Sequence, residues 1–504
     1  MFSVWTSQND TFVYVPGVTD NSNNPTAAPG RYRSPDSITG YFYGNDYIDP
    51  NPITSLNDQG HNYFLSQNPY VLNSYAVFGE TYYDIFKNLK FTTGVRFTDD
   101  RKHFTLIPSQ VVLSGYGYPV AGVEDQVWDQ FTGRAALNWS PKLGFTDQTL
   151  VYGSYAHGYK AGGANPPGAL LPNIAIAQPV HPLTFKPEFI DAFELGSKNT
   201  LLDGALTLNG NLFYYNYENY QISQIVDRTS INLNFDAHVK GAEAEATWEP
   251  LPGLRFNFAG GYEKTALAQG SQAVDLMDRT AGDPNWIVVK PWVTQSSNCV
   301  LPTQVVGLII ADGLTGLGQG TKNLGSCNDA YIYDLDPVTG KPYAAKPLLD
   351  SRNNPLNQVG QDALHQYPGF NPDTAPNGGA GIAKNLGGNE LPNAPPITIS
   401  AGAQYSVPLT RDWAGTIRGD YYWQDYSWAR VFNDNPYDRI RGYTTVNLTL
   451  ILTNQSGWQV MLYDKNVFNE TAITGTFLNS DDSGLTTNVF LTDPKLIGIR
   501  VTKN

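Results

Sequence analysis

Residues 185–262 read FKPEFIDAFELGSKNTLLDGALTLNGNLFYYNYENYQISQIVDRTSINLNFDAHVKGAEAEATWEPLPGLRFNFAGGY, and this stretch decides the fold. Apolar and polar side chains alternate along it with a period of two, as in a strand with one apolar and one polar face. The alternation breaks at two tight turns, 199–204 and 249–253, which are rich in Gly, Pro, Asn and Asp. The pattern predicts two successive β-hairpins.

Strand length and aromatic placement separate a membrane barrel from a soluble sandwich, which would also alternate. Soluble strands usually have about five or six residues, whereas membrane barrel strands need about 9 to 11 and carry aromatic residues at both membrane interfaces. The runs in this stretch are long, and their aromatics gather near the ends, as in Phe213 to Tyr217 and at Trp248. The stretch therefore predicts transmembrane β-strands.

The period of two also predicts which side chains face lipid and which face the lumen or solvent. We expect lipid contact for Leu206, Leu208, Leu212, Leu254, Phe256, Phe258, Ile417, Val446, Leu448 and Leu450. We expect the lumen or solvent to contact Asn209, Asn211, Glu243, Glu245, Arg255 and Arg418.

Composition excludes two other classes of protein. The longest apolar run, near 305–311, is far shorter than the roughly 18 residues that a membrane-spanning helix needs, so a helical membrane protein is excluded. The 504 residues carry a formal net charge of −14, which argues against nucleic acid as a partner because phosphate binding favours a basic surface.

Short and long connections alternate along the chain from Ser74 onward. The predicted short turns are 84–89, 140–147, 199–204, 249–253, 408–414 and 453–457. The predicted long connections are 98–129, 157–187, 218–236, 265–394, 429–441 and 469–494. Bacterial outer-membrane barrels have short periplasmic turns and long extracellular loops, whereas propellers and sandwiches distribute their loops more evenly. We therefore predict an all-β fold: an antiparallel transmembrane β-barrel, partial, with about 14 to 16 strands and long extracellular loops. An irregular soluble all-β protein is the alternative.

Two regions are expected along the chain. Residues 1–72 are rich in Asn, Pro and Gly and are expected to form a loop-rich N-terminal segment with early barrel strands, such as Ile38 to Tyr43. Residues 73–504 are expected to form the barrel, with one long extracellular loop at 265–394. The first ten residues lack a basic segment followed by an apolar core, so no secretory signal is visible. Because a barrel of this kind is exported, we expect the sequence to lack its true beginning.

Several segments in order resemble TonB-dependent outer-membrane receptors. YGSYAHGYKAGG, residues 152–163, resembles a barrel strand and its upper loop, and FKPEFIDAFELGSK, residues 185–198, is similar to the strand that follows. Three further segments resemble the last third of such a barrel: LPNAPP at 391–396, residues 405–408 and the closing residues 494–502. No single motif is specific, but their order and spacing together identify the family.

The resemblance implies a bacterial outer-membrane barrel of 22 strands around a globular plug, which binds a scarce nutrient such as a ferric chelate, cobalamin or a carbohydrate. Its expected partners are outer-membrane lipid, a small nutrient ligand and TonB, which couples energy to uptake. Nothing in residues 1–72 resembles the plug or the TonB-contacting segment, and the chain stops at Asn504 where the family commonly ends on an aromatic. The resemblance is therefore to the C-terminal barrel portion, with the plug domain absent. A passive porin or barrel adhesin and a secreted all-β enzyme acting on glycans are the alternatives.

Candidate catalytic residues are few. Glu243 and Glu245 share one strand face, as paired acids do in a glycosidase, but nothing orients an acid against a nucleophile, and a polar lumen wall is the expected role. His157 and His181 flank one loop without the spacing of metal ligands. No phosphate loop, nucleophile elbow or zinc motif is present. The sequence predicts neither an enzyme nor a cofactor.

Aromatic and acidic loop residues are candidates for contact with a ligand, because such side chains stack on sugars or bind cations. These candidates are Tyr159, Tyr331, Tyr333, Asp334 and Asp336. Ordinary loop packing is the alternative role for each of them.

Cys299 and Cys327 are the only cysteines and are predicted to form a disulfide. Both lie in the long connection 265–394, which the predicted topology places outside the cell, in an oxidising setting. Two free thiols in a buried site are the alternative.

Overall fold

The computed structural model describes residues 3–6, 11–14, 31–32, 47–48, 67–106, 122–165, 174–176, 184–226, 229–289, 299–304, 332–334, 376–379, 381–479 and 485–503. The strands of the first half are β1 (Ser3–Thr6), β2 (Thr11–Tyr14), β3 (Arg31–Tyr32), β4 (Tyr47–Ile48), β5 (Gln67–Phe86), β6 (Leu89–Leu106), β7 (Gly122–Trp139), β8 (Gln148–Lys160), β9 (Gly163–Ala164), β10 (Ile174–Ile176), β11 (Thr184–Phe185), β12 (Glu188–Leu201), β13 (Leu206–Val226) and β14 (Thr229–Leu251). Those of the second half are β15 (Leu254–Leu267), β16 (Gln272–Val274), β17 (Trp286–Val289), β18 (Cys299–Pro302), β19 (Ile332–Asp334), β20 (Ala383–Asn385), β21 (Ile397–Pro408), β22 (Trp413–Gln424), β23 (Ser427–Trp428), β24 (Arg439–Ile440), β25 (Tyr443–Asn454), β26 (Trp458–Lys465), β27 (Ile473–Leu478), β28 (Thr487–Leu491) and β29 (Leu496–Lys503).

Helical structure within the described residues is slight. In that part of the chain, two short 3-10 helices cover Pro376–Gly379 and Pro436–Asp438. Within the described ranges, none of the helices has the length and apolar character needed to cross a membrane.

Thirteen strands form one large antiparallel sheet, which confirms the predicted all-β antiparallel architecture. Their order is β5-β6-β7-β8-β12-β13-β14-β15-β21-β22-β25-β26-β29, so each strand pairs with the sheet strand that follows it in the chain. The sequence predicted about 14 to 16 strands, and the described residues supply thirteen. Among those residues, no pairing joins β5 to β29, and the sheet has two edges.

The two ends of the sheet differ in their connections. Tight turns join β5 to β6, β12 to β13, β14 to β15, β21 to β22 and β25 to β26, and we call this side the short-turn end. One of these turns uses Leu202, Asp203 and Gly204, which all have positive φ. Another uses Gly253, where positive φ and the close Ser406 carbonyl leave no room for a side chain. The opposite side, which carries the longer connections apart from the one between β13 and β14, is the long-loop end.

Two predicted long connections consist mostly of strands of the large sheet, so these predictions were wrong. Residues 98–129 contain the end of β6 and the start of β7, and residues 218–236 lie almost entirely within β13 and β14. The reason in the second case is that apolar alternation continues past a bulge at Asn219, where Tyr220 pairs with Phe235 and Ile222 pairs with Leu233. β13 and β14 reach 21 and 23 residues, which exceeds the length of a membrane crossing, so both extend beyond it.

The register confirms the predicted division of side chains between two faces. Leu206, Trp248 and Phe256 stand opposite one another across β13, β14 and β15, while Asn211 stands opposite Glu243 on the other face. All ten residues predicted to face lipid share the first face, which carries large exposed apolar side chains. The six residues predicted to face the lumen or solvent share the second. We call these the apolar face and the polar face.

The N-terminal residues form two small hairpins in the parts that are described. β1 pairs with β2, and β3 pairs with β4. The first strand of the large sheet begins at Gln67, and the predicted early strand Ile38 to Tyr43 lies outside the described residues.

Candidate functional site

Two loop segments fold over the polar face at the long-loop end. The first comprises residues 268–289 and 381–391, and the second comprises residues 425–442. Their apolar side chains pack with those of β14 and β15 into one buried cluster: Phe235, Ala237, Val239, Leu267, Ala273, Leu386, Leu391, Val431 and Phe432. Phe213, Tyr215 and Tyr217 of β13 pack against this cluster from below. The loops therefore cover the upper part of the polar face; we call this region the mouth.

Hydrogen bonds between backbone and side-chain groups fix the two loop segments to the sheet and to each other. The backbone N–H of Leu391 donates to Thr265 Oγ1 of β15 over 2.9 Å. The side-chain amide of Asn389 donates to the carbonyl oxygens of Val431 and Phe432, each over 2.8 Å. Because these contacts join positions more than forty residues apart, they set the position of the second segment.

A buried ion-pair network also joins the loop segments. Asp275 is 1% exposed, and its carboxylate accepts a hydrogen bond from Arg430 Nη1 over 2.6 Å. Arg430 Nη2 donates to Asp438 over 2.6 Å, and Lys384 Nζ lies 3.3 Å from the other Asp275 oxygen. Lys384 is further paired with Asp278 and Asp434, which are more exposed.

The network shifts the ionisation of its members. Burial raises the pKa of Asp275, but the hydrogen bond and charge of Arg430 outweigh it and hold the pKa below its ordinary value. Burial lowers the pKa of Lys384, but its hydrogen bonds to Asp278 and Asp434 outweigh it and raise that pKa above its ordinary range. Both groups are therefore charged at neutral pH.

Below the mouth, the polar face carries tyrosines and an excess of carboxylates. Tyr215 donates from its hydroxyl to Glu194 over 2.9 Å, and its ring stacks on Phe213 at 4.9 Å. The carboxylates on this face of β12, β14 and β15 include Glu194, Glu243, Glu245 and Glu263. Lys198 shares the face, nearer the short-turn end. The arrangement suits hydrogen bonding and attraction of cationic groups.

A second polar cluster lies farther along the same face. Arg418 donates to Gln404 over 3.2 Å and to Asn257 over 3.1 Å, and it also pairs with Asp420. These residues come from β15, β21 and β22, so the cluster ties three strands together through their polar side chains. Its charges are internally paired.

The predicted ligand-contacting residues are only partly described. The Tyr159 hydroxyl donates to Asp100 over 3.2 Å, and its ring lies 5.7 Å from Phe189. Tyr333 and Asp334 belong to β19, which pairs with β10. Tyr331 and Asp336 lie outside the described residues. A ligand-binding role for all five stays a prediction.

The other singled-out residues have the following positions. His157 Nδ1 lies 2.8 Å from Asp191, and its ring stacks on Phe189 at 5.8 Å. Glu243 and Glu245 lie on the polar face opposite Asn211 and Asn209. His181 is outside the described ranges, within which no group of three or more His, Cys, Asp or Glu side chains is arranged to hold a metal ion. Cys299 lies in β18, whereas Cys327 is not described, so the disulfide stays a prediction.

Sequence reasoning missed the residues that hold the mouth together. Asp275, Lys384, Arg430 and Asp438 lie in segments interpreted only as long loops. One signal was present, since Val431 and Phe432 form an apolar pair inside a polar loop. Such a pair indicates that the loop packs against something.

Comparisons with known proteins agree with this architecture. The sequence profile described as TonB dependent receptor-like, beta-barrel matches residues 2–294. The chain is similar in structure to the ferric yersiniabactin uptake receptor FyuA from Yersinia pestis, with a TM-score of 0.51 and 15% identity over 86% of this chain and 45% of FyuA. It also matches the siderophore receptor PiuA from Acinetobacter baumannii, with a TM-score of 0.49 and 12% identity over 86% of this chain and 43% of PiuA. For the copper transporter OprC the TM-score is 0.49 and the identity 10%, over 94% of this chain and 52% of OprC.

The extent of these matches defines what they show. The chain spans about half the length of the solved structures that it matches. The likeness to FyuA, at 15% identity, shows the fold alone. No curated protein sequence matches the chain. The profile match covers more than half of the chain, so this protein belongs to the family of TonB-dependent receptor β-barrels of the bacterial outer membrane.

Proposed function

We propose that this barrel serves the energised uptake of a scarce nutrient across the outer membrane, with energy coupled through TonB. The observation that carries the proposal is the mouth, where loop segments fold inward and are held over the polar face by the buried pair of Asp275 and Arg430. In the family's orientation the long-loop end is extracellular and the polar face lines the lumen. A structured mouth over a polar lumen suits the selective capture of a ligand from outside.

The charge of the lumen wall supports a class of ligand. Glu194, Glu243 and Glu263 lie below the mouth without a paired lysine or arginine in the part of the chain that the structure describes. Carboxylates in a confined cleft repel anions and raise the local concentration of cations. We therefore propose a ligand without net negative charge, namely a neutral or cationic metal chelate, or a carbohydrate that stacks on the tyrosines.

The test is uptake by cells whose outer membrane carries this barrel in a receptor that also contains a plug domain and a TonB-contacting segment. Cells with and without a functional TonB receive a radiolabelled neutral, cationic or anionic ferric chelate, cobalamin or an oligosaccharide. The expected result is TonB-dependent accumulation of a neutral or cationic ligand. Equal accumulation without TonB would establish a passive pore instead, and release of sugar products by detergent-free protein would establish an enzyme.

A matched pair of variants tests the lumen wall. Glu243→Gln removes one carboxylate below the mouth, and Glu249→Gln removes one near the short-turn end, where Glu249 lies 3.5 Å from Arg255. Uptake of a cationic chelate should fall several-fold in Glu243→Gln and stay unchanged in Glu249→Gln. Equal uptake by both variants would contradict the role of the wall.

A further inference from the structure

An apolar groove of about 570 Å³ opens on the lipid-facing surface of β7, β8, β12 and β13. Gly153 lies in a row of outward positions between Leu137 and Leu195, and Leu212 continues the row. The glycine leaves a gap in this row, since a Cβ at position 153 would meet no atom closer than the Glu194 carbonyl oxygen at 4.0 Å. Its neighbours Leu195 and Leu212 are exposed. The gap is therefore open to the membrane.

The upper end of the groove lies at an aromatic belt. Tyr155, Phe193 and Tyr214 stand in register across β8, β12 and β13, and the first two rings are 5.0 Å apart. Tyrosine at this position marks the boundary between hydrocarbon and headgroups in membrane barrels. The groove thus runs from the headgroup level into the hydrocarbon layer.

Two lysines without carboxylate partners in the part of the chain that the structure describes lie beside the belt. Lys240 stands directly opposite Tyr214 on one side and opposite Lys264 on the other, and all three share the outward face. Like charges directly opposite on a sheet destabilise it unless an anion lies between them. Neither lysine has a carboxylate partner among the residues that the structure describes. His238 adds a third nitrogen group, with its Nδ1 3.3 Å from the Tyr214 hydroxyl.

The other side of the belt differs in charge. There the Asp191 carboxylate accepts a hydrogen bond from the Tyr155 hydroxyl over 2.7 Å, and it lies 2.8 Å from His157 Nδ1. An anionic headgroup is therefore favoured beside β14 and β15 and disfavoured beside β12. A cation at headgroup level contributes to the binding of anionic lipid.

We propose that the groove and the lysine pair form one site for a membrane lipid with a phosphate headgroup. An acyl chain fills the gap over Gly153 between Leu137 and Leu195, and the phosphate lies between the ammonium groups of Lys240 and Lys264. Tyr214 lies between the two parts, because it lines the groove and stands opposite Lys240. Three strand spacings, roughly 14 Å, separate Gly153 in β8 from Lys240 in β14, a distance within the roughly 20 Å thickness of one membrane leaflet.

Native mass spectrometry of the full chain in detergent tests the proposal, with phosphatidylglycerol and phosphatidylcholine as probes. We expect the protein to retain one phosphatidylglycerol. Gly153→Leu adds a side chain in the gap, where its Cβ meets no atom closer than 4.0 Å, and should weaken this binding about tenfold, the effect of losing roughly 1.4 kcal/mol. Gly210→Leu places the same side chain on the same face outside the groove and should leave binding unchanged. Equal lipid retention by the two variants would refute the proposal that the groove binds an acyl chain.

The lysine pair has its own test. Lys240→Gln with Lys264→Gln should reduce the preference for phosphatidylglycerol over phosphatidylcholine by about fivefold for each lysine. Lys142→Gln, an exposed lysine near the short-turn end, is the matched control. Excess inorganic phosphate should not displace the lipid, and full displacement would show that the lysines bind free phosphate instead. Equal heat-modifiable migration in electrophoresis confirms that all variants fold.

Discussion

Arg430 Nη1 lies 2.6 Å from Asp275 Oδ1, so a salt bridge joins two residues separated by 155 positions in the chain. Asp275 is 1% exposed and the Arg430 side chain 15% exposed. Replacing a buried ion pair with apolar groups is often neutral, whereas removing one partner leaves a buried charge unpaired. The pair therefore makes the position of the second loop segment sensitive to either residue.

Arg430→Gln should loosen the mouth. The variant leaves Asp275 buried without its main partner, at a cost of about 3 to 5 kcal/mol to the packed loops. Hydrogen exchange in residues 425–442 should accelerate strongly, while exchange in β13 and β14 stays slow. Arg441→Gln removes an exposed arginine from the same loop and is the control. Identical exchange in both variants would show that the pair does not hold the loop.

The mouth should open at both extremes of pH. Asp275 has a folded pKa below its ordinary 3.8, so its stabilising effect is present above that value and is lost as pH falls through the folded pKa. Lys384 has a folded pKa above its ordinary 10.5, so its effect is present below that value and is lost as pH rises through the folded pKa. A nitroxide at position 437, where Tyr437 is 85% exposed, should gain mobility below and above this window. Asp275→Asn should abolish the acid transition, and its persistence would exclude Asp275 as the titrating group.

Strand placement was predictable because it depends on local alternation. Leu208 and Asn209 point to opposite faces whichever strand pairs with theirs, so the period of two is enough to assign them. The extent of β13 and β14 was underestimated because Asn219 introduces a bulge that shifts the register between Tyr217 and Tyr220. A bulge reverses the apparent alternation and mimics the end of a strand.

The mouth was not predictable, because it depends on contacts between distant loops. Asp275 and Arg430 have no local pattern that pairs them, and Lys384 is 109 positions away from Asp275 in the chain. Charged loop residues are usually solvated. The burial of Asp275 and Arg430 therefore follows only from the tertiary packing of the loops, in which Val431 and Phe432 take part. The lipid groove likewise depends on Gly153 facing outward between leucines of two other strands.

A charge on the apolar face should destabilise the barrel. Leu208→Arg places a guanidinium in hydrocarbon; the cost of such a charge reaches about 2 to 4 kcal/mol near the bilayer midplane and is smaller toward the short-turn end, where Leu208 lies. Asn209→Arg, on the polar face opposite Glu245, should cost little. Urea unfolding in liposomes measures the difference. Spin labels at the two positions provide a second measurement, and equal lipid contact by both labels would contradict the assignment of faces.

Cys299 and Cys327 should form a disulfide. The bond closes a loop of 28 residues (327 − 299) and should stabilise it by about 3 to 4 kcal/mol on the chain-entropy model. Cys299 is positioned by the pairing of β18 with β17. Thiol labelling of unreduced, denatured protein should capture neither cysteine. Labelling of both would refute the bond.

The two edge strands of the sheet should not pair with each other directly. β5 runs toward the short-turn end, and β29 runs in the same direction, because it is antiparallel to β26, which leaves the turn at 455–457. A direct seam would therefore be parallel, whereas bacterial outer-membrane barrels are antiparallel throughout. Unsatisfied backbone groups at an edge in lipid cost several kcal/mol each, so each edge needs an antiparallel neighbour. A closed barrel in which all neighbouring strands are antiparallel therefore requires an odd number of further strands between β5 and β29.

Cysteine cross-linking measures this arrangement in the full chain with Cys299→Ser and Cys327→Ser. Leu462→Cys with Ile499→Cys is the positive control, because these residues are direct partners in β26 and β29 and a disulfide spans neighbouring strands. Val77→Cys in β5 is then combined in turn with Ile497→Cys, Ile499→Cys and Val501→Cys, whose side chains are all exposed. We expect the control pair to oxidise within one chain and the three test pairs to stay reduced. An intramolecular disulfide in any test pair would demonstrate a parallel seam and refute the requirement for intervening strands.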